Sequence, residues 1–219
     1  MKEALYITNW CKISNQSVTV NNKKEVFEEN FPNFAAFIKN LYKKGQISYP
    51  KFYKMDNLSK LGFLGAEILL SESDVLKKYG TEEIGVIMAN SSSSLDTDLD
   101  YQELIRDKSN YFPSPAVFVY TLPNILIGEI CIRHKIKGEN AFLISEEFNS
   151  NLIYNYVNEL FTRNRVDSCF CGWVEVMGDK FNAFCVLVEK AGRATPPEAT
   201  GFKPIVFNNE NLNFLFTNN

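Results

Sequence analysis

Residues 114–128 read SPAVFVYTLPNILIG, and this stretch decides the fold that the sequence predicts. Its first half, Ala116 to Leu122, is apolar and rich in β-branched and aromatic residues, which is typical of a buried strand. Its second half begins an apolar segment, Pro123 to Lys135, that predicts a helix with proline at the favoured first position. Several enzymes present a nucleophile at such a turn, because the unpaired N–H groups at the helix start stabilise a thiolate or an oxyanion.

No strong nucleophile is present at this turn. The positions equivalent to the nucleophile elbow are Thr121, Leu122, Pro123 and Asn124. Residues 116–130 contain no cysteine or serine, and their only hydroxyls are Thr121 and the phenol of Tyr120. A β-branched hydroxyl without a base is a poor nucleophile. The pattern therefore predicts the architecture of a nucleophile turn without its reactive atom; an ordinary buried helix after a strand is the alternative.

Two other reactive side chains lie along the predicted helix. Cys131 is about two turns from the helix start, away from the positive end of the dipole, so we expect a thiol of the core. His134 is the only histidine of the chain. It stands between Arg133 and Lys135, and we expect it at a solvated helix end.

The rest of the chain alternates strands with helices. Helical spacing of apolar residues appears at 34–41, and Gly62 and Gly65 in the next helix predict close packing against another backbone. The predicted elements are strands at 3–9, 84–89 and 141–145, helices at 56–70, 101–106 and 147–163, and an antiparallel pair at 167–177 and 182–189. This order predicts an α/β domain with a mixed sheet.

The composition indicates a globular cytoplasmic protein. The 219 residues, 45% of them hydrophobic, are enough for one sizeable core. A net charge of −3 gives no general attraction to nucleic acid or to an anionic membrane. We find no signal-peptide pattern and no stretch with the length of a transmembrane helix. The five cysteines are scattered, which favours buried free thiols in a reducing compartment.

Two short motifs imitate metal sites. Cys169 and Cys171 share one strand face, but a zinc site needs about four ligands and no second Cys/His pair accompanies them. Residues 96–100, DTDLD, imitate the start of a calcium loop, but Tyr101 replaces the required glycine and Asp107 the final glutamate. We expect a solvated acidic loop there. No glycine-rich phosphate-binding motif occurs, so we expect neither a metal nor a cofactor.

Four ordered parts of the sequence together resemble the amino-terminal half of the β-ketoacyl synthases. They are the helix 58–70 with strand 84–89 and its serine-rich loop, the segment 114–121, the segment 141–145 with the following helix, and the pair 166–175 and 184–189. The resemblance covers about residues 3–190. It is strongest to the short ketosynthase-like proteins of aryl polyene and flexirubin-type pigment pathways, which resemble chain length factors.

This resemblance implies the amino-terminal half of a thiolase-like fold, with a mixed sheet and helices on both faces. It implies a domain at 1–190 and a connector with a tail at 191–219. Active members of the family have a cysteine at the elbow, where Pro123 falls here. Their two catalytic histidines come from the carboxyl-terminal half. The resemblance therefore implies that decarboxylative condensation has no machinery in this chain.

Three functional hypotheses follow. The first is a non-catalytic subunit that pairs with an active β-ketoacyl-ACP synthase as a homo- or heterodimer, with acyl-carrier protein as a further candidate partner. Its expected contacts are the segment 115–122, the loop 90–100 and the helix 123–133, whose all-round apolar surface a single half is not expected to cover. The second is a stand-alone acyl- or thioester-binding protein. The third is a small enzyme that uses Thr121, Asp96, Asp98 or Glu175.

Overall fold

A computed structural model describes residues 3–26, 30–71, 73–109, 111–193 and 202–218. Eight strands form one mixed sheet in the order β3-β2-β1-β7-β6-β4-β5, with β8 pairing with β1. The strands are β1 Leu5–Ser14, β2 Ser17–Val20, β3 Lys23–Val26, β4 Ile84–Asn90, β5 Asn140–Ile144, β6 Ser168–Met177, β7 Lys180–Lys190 and β8 Ile205–Val206. β4 runs parallel to β5 and β6, and the other pairs are antiparallel.

Helices cover both faces of the sheet, as predicted. They are α1 Phe34–Lys44, α2 Asn57–Ser71, α3 Val75–Lys78, α4 Leu95–Arg106, α5 Pro115–Phe118, α6 Ile125–His134, α7 Ser150–Thr162 and α8 Asn209–Thr217, with 3-10 turns at Pro50–Lys54, Val119–Thr121 and Ala191–Arg193. Residues of α1, α2 and α6 form one apolar core against the sheet, and residues of α7 and α8 form a second core on the other face.

The centre of the sheet has the double-sided burial that its sequence predicts. Every residue of β4 is buried, in agreement with the continuous apolar run at 84–89. β6 and β7 form the predicted hairpin, which turns at Gly178 and Asp179. Gly178 has a φ of +58°, a conformation that glycine adopts without strain.

The predicted helix at 56–70 forms as α2 and crosses α6 at close range. Asp56 caps its start, because its carboxylate accepts a hydrogen bond from the backbone N–H of Ser59 at 2.9 Å. Gly62 faces Leu126 of α6 so closely that an added Cβ would lie 2.3 Å from the Leu126 Cδ1 atom. At Gly65 an added Cβ would lie 3.0 Å from the thiol of Cys185. Both glycines therefore allow close packing, but against the side chains of Leu126 and Cys185 and not against another backbone as predicted.

This packing covers α6 more completely than we expected. Leu126, Ile127 and Ile130 are buried and Ile125 is half-buried, whereas Ile132 remains 64% exposed. The expectation that a single half leaves the α6 surface uncovered is therefore wrong, apart from Ile132.

The predicted strand at 116–122 is wrong. This segment forms α5 and the 3-10 turn Val119–Thr121 instead. Ser114 caps α5 by accepting from the N–H of Val117 at 3.4 Å, and Pro115 occupies the first turn. No described strand lies beside the segment to supply a ladder, so this local capping outweighs the β-propensity of its side chains.

The acidic segment is not the expected solvated loop either. Residues 95–106 form the helix α4, which begins well before the short helix predicted at 101–106. Asp96 and Asp98 lie in its first turn, where carboxylates interact favourably with the positive end of the helix dipole.

The carboxyl-terminal segment packs on the second face of the sheet. Leu212 and Leu215 of α8 are buried, and the ring of Phe216 stacks on Phe148 with centroids 3.9 Å apart. Lys12 of β1 donates to the carbonyl of Phe216 at 2.5 Å. Whether the chain divides into a domain and a tail at residue 190 stays a prediction.

Across the described residues, no single helix is both long and apolar enough to cross a membrane. The bent pair formed by residues 115–121 and 125–134, which meet at 100°, would qualify by length and composition alone.

The close crossing of α2 and α6 predicts opposite effects for two glycine-to-alanine substitutions. Gly62→Ala should lower the free energy of unfolding by about 1–3 kcal/mol, because the buried Leu126 must move. Gly128→Ala should raise it by about 0.5–1 kcal/mol, since nothing lies within 4 Å of an added Cβ there. Urea unfolding monitored by circular dichroism measures both. If Gly62→Ala and Gly128→Ala have the same free energy of unfolding, the helices α2 and α6 do not pack closely at Gly62.

Candidate functional site

The carboxyl ends of the three parallel strands meet at one edge of the sheet, where polar turns follow two of them. Residues 91–94 connect β4 to α4, and residues 145–149 connect β5 to α7. β6 runs alongside and brings Glu175 to the same edge. In α/β proteins, ligands commonly bind at the carboxyl ends of parallel strands, so this edge is the candidate site.

Glu175 organises the turn at 91–94. Its carboxylate accepts from the backbone N–H of Ser91 at 2.7 Å and from the hydroxyl of Ser92. Ser93 has a φ of +54° and exchanges two hydrogen bonds with the side-chain amide of Asn90. Glu175 therefore acts as an acceptor that holds the turn.

The structure brings the other candidate residues to the same turn. The Ser94 hydroxyl donates to the carbonyl of Thr121 at 2.7 Å and lies 3.2 Å from the nearer Asp98 oxygen. Asp96 accepts from the side-chain amide of Asn57 at 2.9 Å and from the backbone N–H of Gly178 at 2.7 Å. The sequence reasoning named these residues separately and did not predict that one turn gathers them.

The hydrogen bonds of this cluster hold loops in place. The Thr121 hydroxyl donates to the carbonyl of Phe118 at 2.7 Å, within its own turn. Asp96 and Glu175 accept from backbone and side-chain donors that fix the loops, and Asp98 lies beside the Ser94 hydroxyl. No histidine is near, because His134 lies at the far end of α6, about 15 Å along the helix axis. The arrangement orders two loops.

The elbow-equivalent residues Thr121 to Asn124 lie between two helical segments. The assignment of an elbow at 121–124 stays a prediction, but the strand on which it rested is absent. A strand that turns sharply into a long helix occurs instead at 145–149. There Ser145 extends the β5 ladder by donating its N–H to the carbonyl of Asn90 at 3.1 Å, and Asn149 caps α7.

The turn at 145–149 also lacks a cysteine. Its residues are Ser145, Glu146, Glu147, Phe148 and Asn149. The Ser145 hydroxyl donates to the carbonyl of Glu147 at 2.8 Å, and both glutamates are exposed. The sequence did predict a strand at 141–145 followed by a helix. The turn between them was not predicted to be the nucleophile elbow.

Tyr120 is buried, and its phenol donates to the carboxylate of Glu129 at 3.0 Å. Burial, together with Glu129, raises the pKa of Tyr120 well above its ordinary value. The phenol therefore keeps its proton and serves as a donor, which excludes it as a base or nucleophile near neutral pH.

Cys131 and His134 do not join this site. Burial raises the pKa of the half-buried Cys131 thiol to about 11, which fits the core thiol that we predicted. His134 is not at a solvated helix end, because its side chain is only 10% exposed and its Nε2 atom lies 3.1 Å from Glu67. Burial alone would raise the pKa of Glu67, but hydrogen bonds from His134 and Arg133 lower it.

Cys169 and Cys171 belong to the core on the second face, and burial raises the pKa of Cys171 well above its ordinary value. Within the described ranges, no group of three or more His, Cys, Asp or Glu residues is placed to hold a metal ion.

Beside the polar edge lies a segment, residues 95–109 and 111–122, whose large apolar side chains are mostly exposed, and which we name the arm. It contains α4, α5 and the 3-10 turn Val119–Thr121. Only Thr97 and Tyr120 of these residues are buried. Its exposed large apolar side chains are Leu95, Leu99, Leu104, Tyr111, Phe112, Phe118, Val119 and Leu122.

Comparisons with known proteins identify the fold. No family model matches the sequence, and no curated protein is detectably similar to it. Among solved structures, the ishigamide ketosynthase/chain length factor has a TM-score of 0.65 at 17% identity, over 87% of this chain and 63% of that one. The type II polyketide ketosynthase AntDE in complex with its acyl-carrier protein AntF has a TM-score of 0.64 at 13% identity, over 89% and 64%.

A third solved structure is the ketosynthase ApeO in complex with its chain length factor ApeC from Xenorhabdus doucetiae. It has a TM-score of 0.56 at 12% identity, over 86% of this chain and 79% of that one. This chain spans less than two thirds of the length of the first two structures. The chain therefore has the thiolase-like α/β fold of ketosynthases and chain length factors, as its resemblance implied.

Proposed function

We propose that this chain is a non-catalytic ketosynthase-like subunit that pairs with an active ketosynthase. The observation that carries the proposal is the arm. A helical segment normally gains its stability by packing an apolar face. The arm instead exposes eight large apolar side chains while burying two residues. An exposed apolar surface of this kind marks a site of interaction with another macromolecule.

The free edge of β5 supports the same role. The Glu139 carbonyl accepts from Val86 at 2.9 Å, and Ser145 donates to Asn90, so alternate residues of β5 bond to β4. The N–H and C=O groups of residues 140, 142 and 144 therefore point away from β4. No strand in the described part of the chain pairs with that side. Such an edge is a template for pairing with a second chain.

The fold favours a ketosynthase as the occupant of this surface. Two of the similar structures carry ketosynthase and chain length factor in their descriptions, and one is a complex of the two. A stable interface of this type buries about 2,000 Å² or more with an apolar centre, for which the arm and the β5 edge supply the apolar groups. Of the predicted contacts, the loop 90–100 remains part of the proposed interface. The edge strand of that interface is β5, because segment 115–122 does not form a strand.

The absence of a nucleophile supports the non-catalytic part of the proposal. Neither turn, 121–124 or 145–149, holds a cysteine, and the only histidine pairs with Glu67. The hydroxyls of Thr121 and Ser145 are both engaged by backbone carbonyls. Assignment to an aryl polyene pathway, acyl-carrier protein as a partner and a cytoplasmic location stay predictions.

A stand-alone acyl-binding role has less support. Two clefts in the described structure have volumes of about 420 and 460 Å³ and lie near the opposite end of the parallel strands. The first cleft mixes Leu5 and Phe161 with polar side chains such as Asn158 and Lys190, and charged side chains such as Glu82 and Arg165 dominate the second. An acyl chain requires a mainly apolar cavity.

The missing nucleophile predicts that the purified protein accepts no acyl group from acyl-CoA or acyl-carrier protein. Intact mass spectrometry should show an unchanged mass, because at pH 8 only about one Cys131 thiol in a thousand is ionised. The matched variants Pro123→Cys and Glu146→Cys place a thiol at each turn. Both should alkylate faster than Cys131, yet neither should form a ketoacyl product. Stoichiometric acylation of the wild type would contradict the proposal.

The pairing proposal predicts that charges on the arm or on the β5 edge weaken association with an active ketosynthase purified from the same cells. Phe118→Asp and Ile144→Lys alter side chains that are 54% and 52% exposed, and each should weaken binding roughly 30-fold. Sedimentation velocity gives the affinity. Because Phe118 is exposed and not part of a core strand, circular dichroism should show a folded variant.

Phe214→Asp is the matched control, since Phe214 is 58% exposed on α8, on the other face of the sheet. It should leave the affinity unchanged. Self-association of this chain through the same residues would assign the surface to a second copy. A wild-type protein that stays monomeric and ignores the ketosynthase would refute the pairing.

A further inference from the structure

The two buried residues of the arm share one feature: each donates a hydroxyl hydrogen bond to a carboxylate on the body of the protein. The first is Thr97, in the first turn of α4. Its hydroxyl donates to the Oδ2 atom of Asp56 at 2.8 Å. The other oxygen of Asp56 caps α2 through Ser59. Burial raises the pKa of Asp56, and the donors around it oppose that rise.

The second is Tyr120, at the other end of the arm. Between Tyr111 and Ile125 it is the only buried residue. Its phenol donates to the Oε1 atom of Glu129, which Lys51 also approaches at 2.8 Å. Glu129 is 3% exposed, and its Oε2 atom is buried without a hydrogen-bond partner in the described structure. Burying a carboxylate in this way is costly, so the bond from Tyr120 is strongly favoured.

Other polar contacts also reach the arm. Asp96 bonds to Asn57 and Gly178, and Ser94 bonds to the Thr121 carbonyl. The Asn57 and Thr121 bonds are partly buried, as is the Thr97–Asp56 bond, and the Gly178 bond is exposed, whereas the Tyr120–Glu129 bond is fully buried. The ring of Phe118 lies against that of Tyr101 within the arm itself, with centroids 5.5 Å apart.

We infer that the Thr97–Asp56 and Tyr120–Glu129 hydrogen bonds fix the arm in its partner-binding conformation, so that Asp56 and Glu129 are positioning residues for the interaction surface. This inference rests on the proposed function for the identity of the partner. The two carboxylates make no contribution to the surface itself. They act by holding the ends of the segment that presents Phe118, Val119 and Leu122.

The test removes each hydroxyl while keeping the shape of the side chain. Tyr120→Phe and Thr97→Val should accelerate amide hydrogen exchange across the arm about tenfold, because a hydrogen bond to a charged acceptor is lost. Exchange in β6 and β7 should remain slow. Thr121→Val is the matched control, since its hydroxyl bonds only to Phe118 within the same turn. It should leave exchange in the arm unchanged.

Each variant is also titrated with the ketosynthase used above. Faster exchange in the arm together with several-fold weaker binding supports the inference. Unchanged exchange in both variants overturns it, as does faster exchange with full affinity. If the variants exchange faster but the wild-type protein does not bind the ketosynthase, the two hydrogen bonds still hold the arm in place. The proposed function is then refuted.

Discussion

The close crossing of α2 over α6 at Gly62 is the contact on which the candidate surface depends. Both helices lie on the same face of the sheet, and the missing side chain of Gly62 lets Leu126 fill the space between them. The separation of the helices sets the positions of Asp56, at the start of α2, and Glu129, on α6. These two carboxylates receive the hydroxyls of the arm. A single close contact in the core thus determines where an exposed segment lies.

The core was predictable because its signals are local and strong. The apolar run at 84–89, the helical spacing at 34–41 and the apolar strands of the hairpin around Gly178 each reflect burial against the sheet, which the sequence pattern reports directly. Segment 116–122 was mispredicted because Val117, Phe118, Val119 and Tyr120 have the β-propensity of a strand, whereas the capping by Ser114 and the absence of a neighbouring strand decide its structure. Propensity does not encode whether a neighbouring strand exists.

The candidate site was predictable only residue by residue. Thr121, Asp96, Asp98 and Glu175 were recognised as polar candidates, but their gathering at the 91–94 turn depends on long-range pairing of β4 with β6. The strand-to-helix turn at 145–149 was overlooked because its residues include no reactive thiol. A sequence indicates which groups are present, while the register of the sheet decides which of them meet.

The polar turn and the apolar arm are consequences of one arrangement. Asn90 ends β4 beside Ile144 of β5, and the next residues of the chain form the turn that leads into the arm. The turn that Glu175 holds therefore links the strand beside β5 to the first helix of the arm. In the proposed subunit, the polar groups at the carboxyl ends of the strands hold the loops of the interaction surface, which is a role that needs neither a thiol nor a histidine. The proposed role and the thiolase-like fold are compatible, because an ordered interface can use the same sheet edge whether or not a cysteine is present.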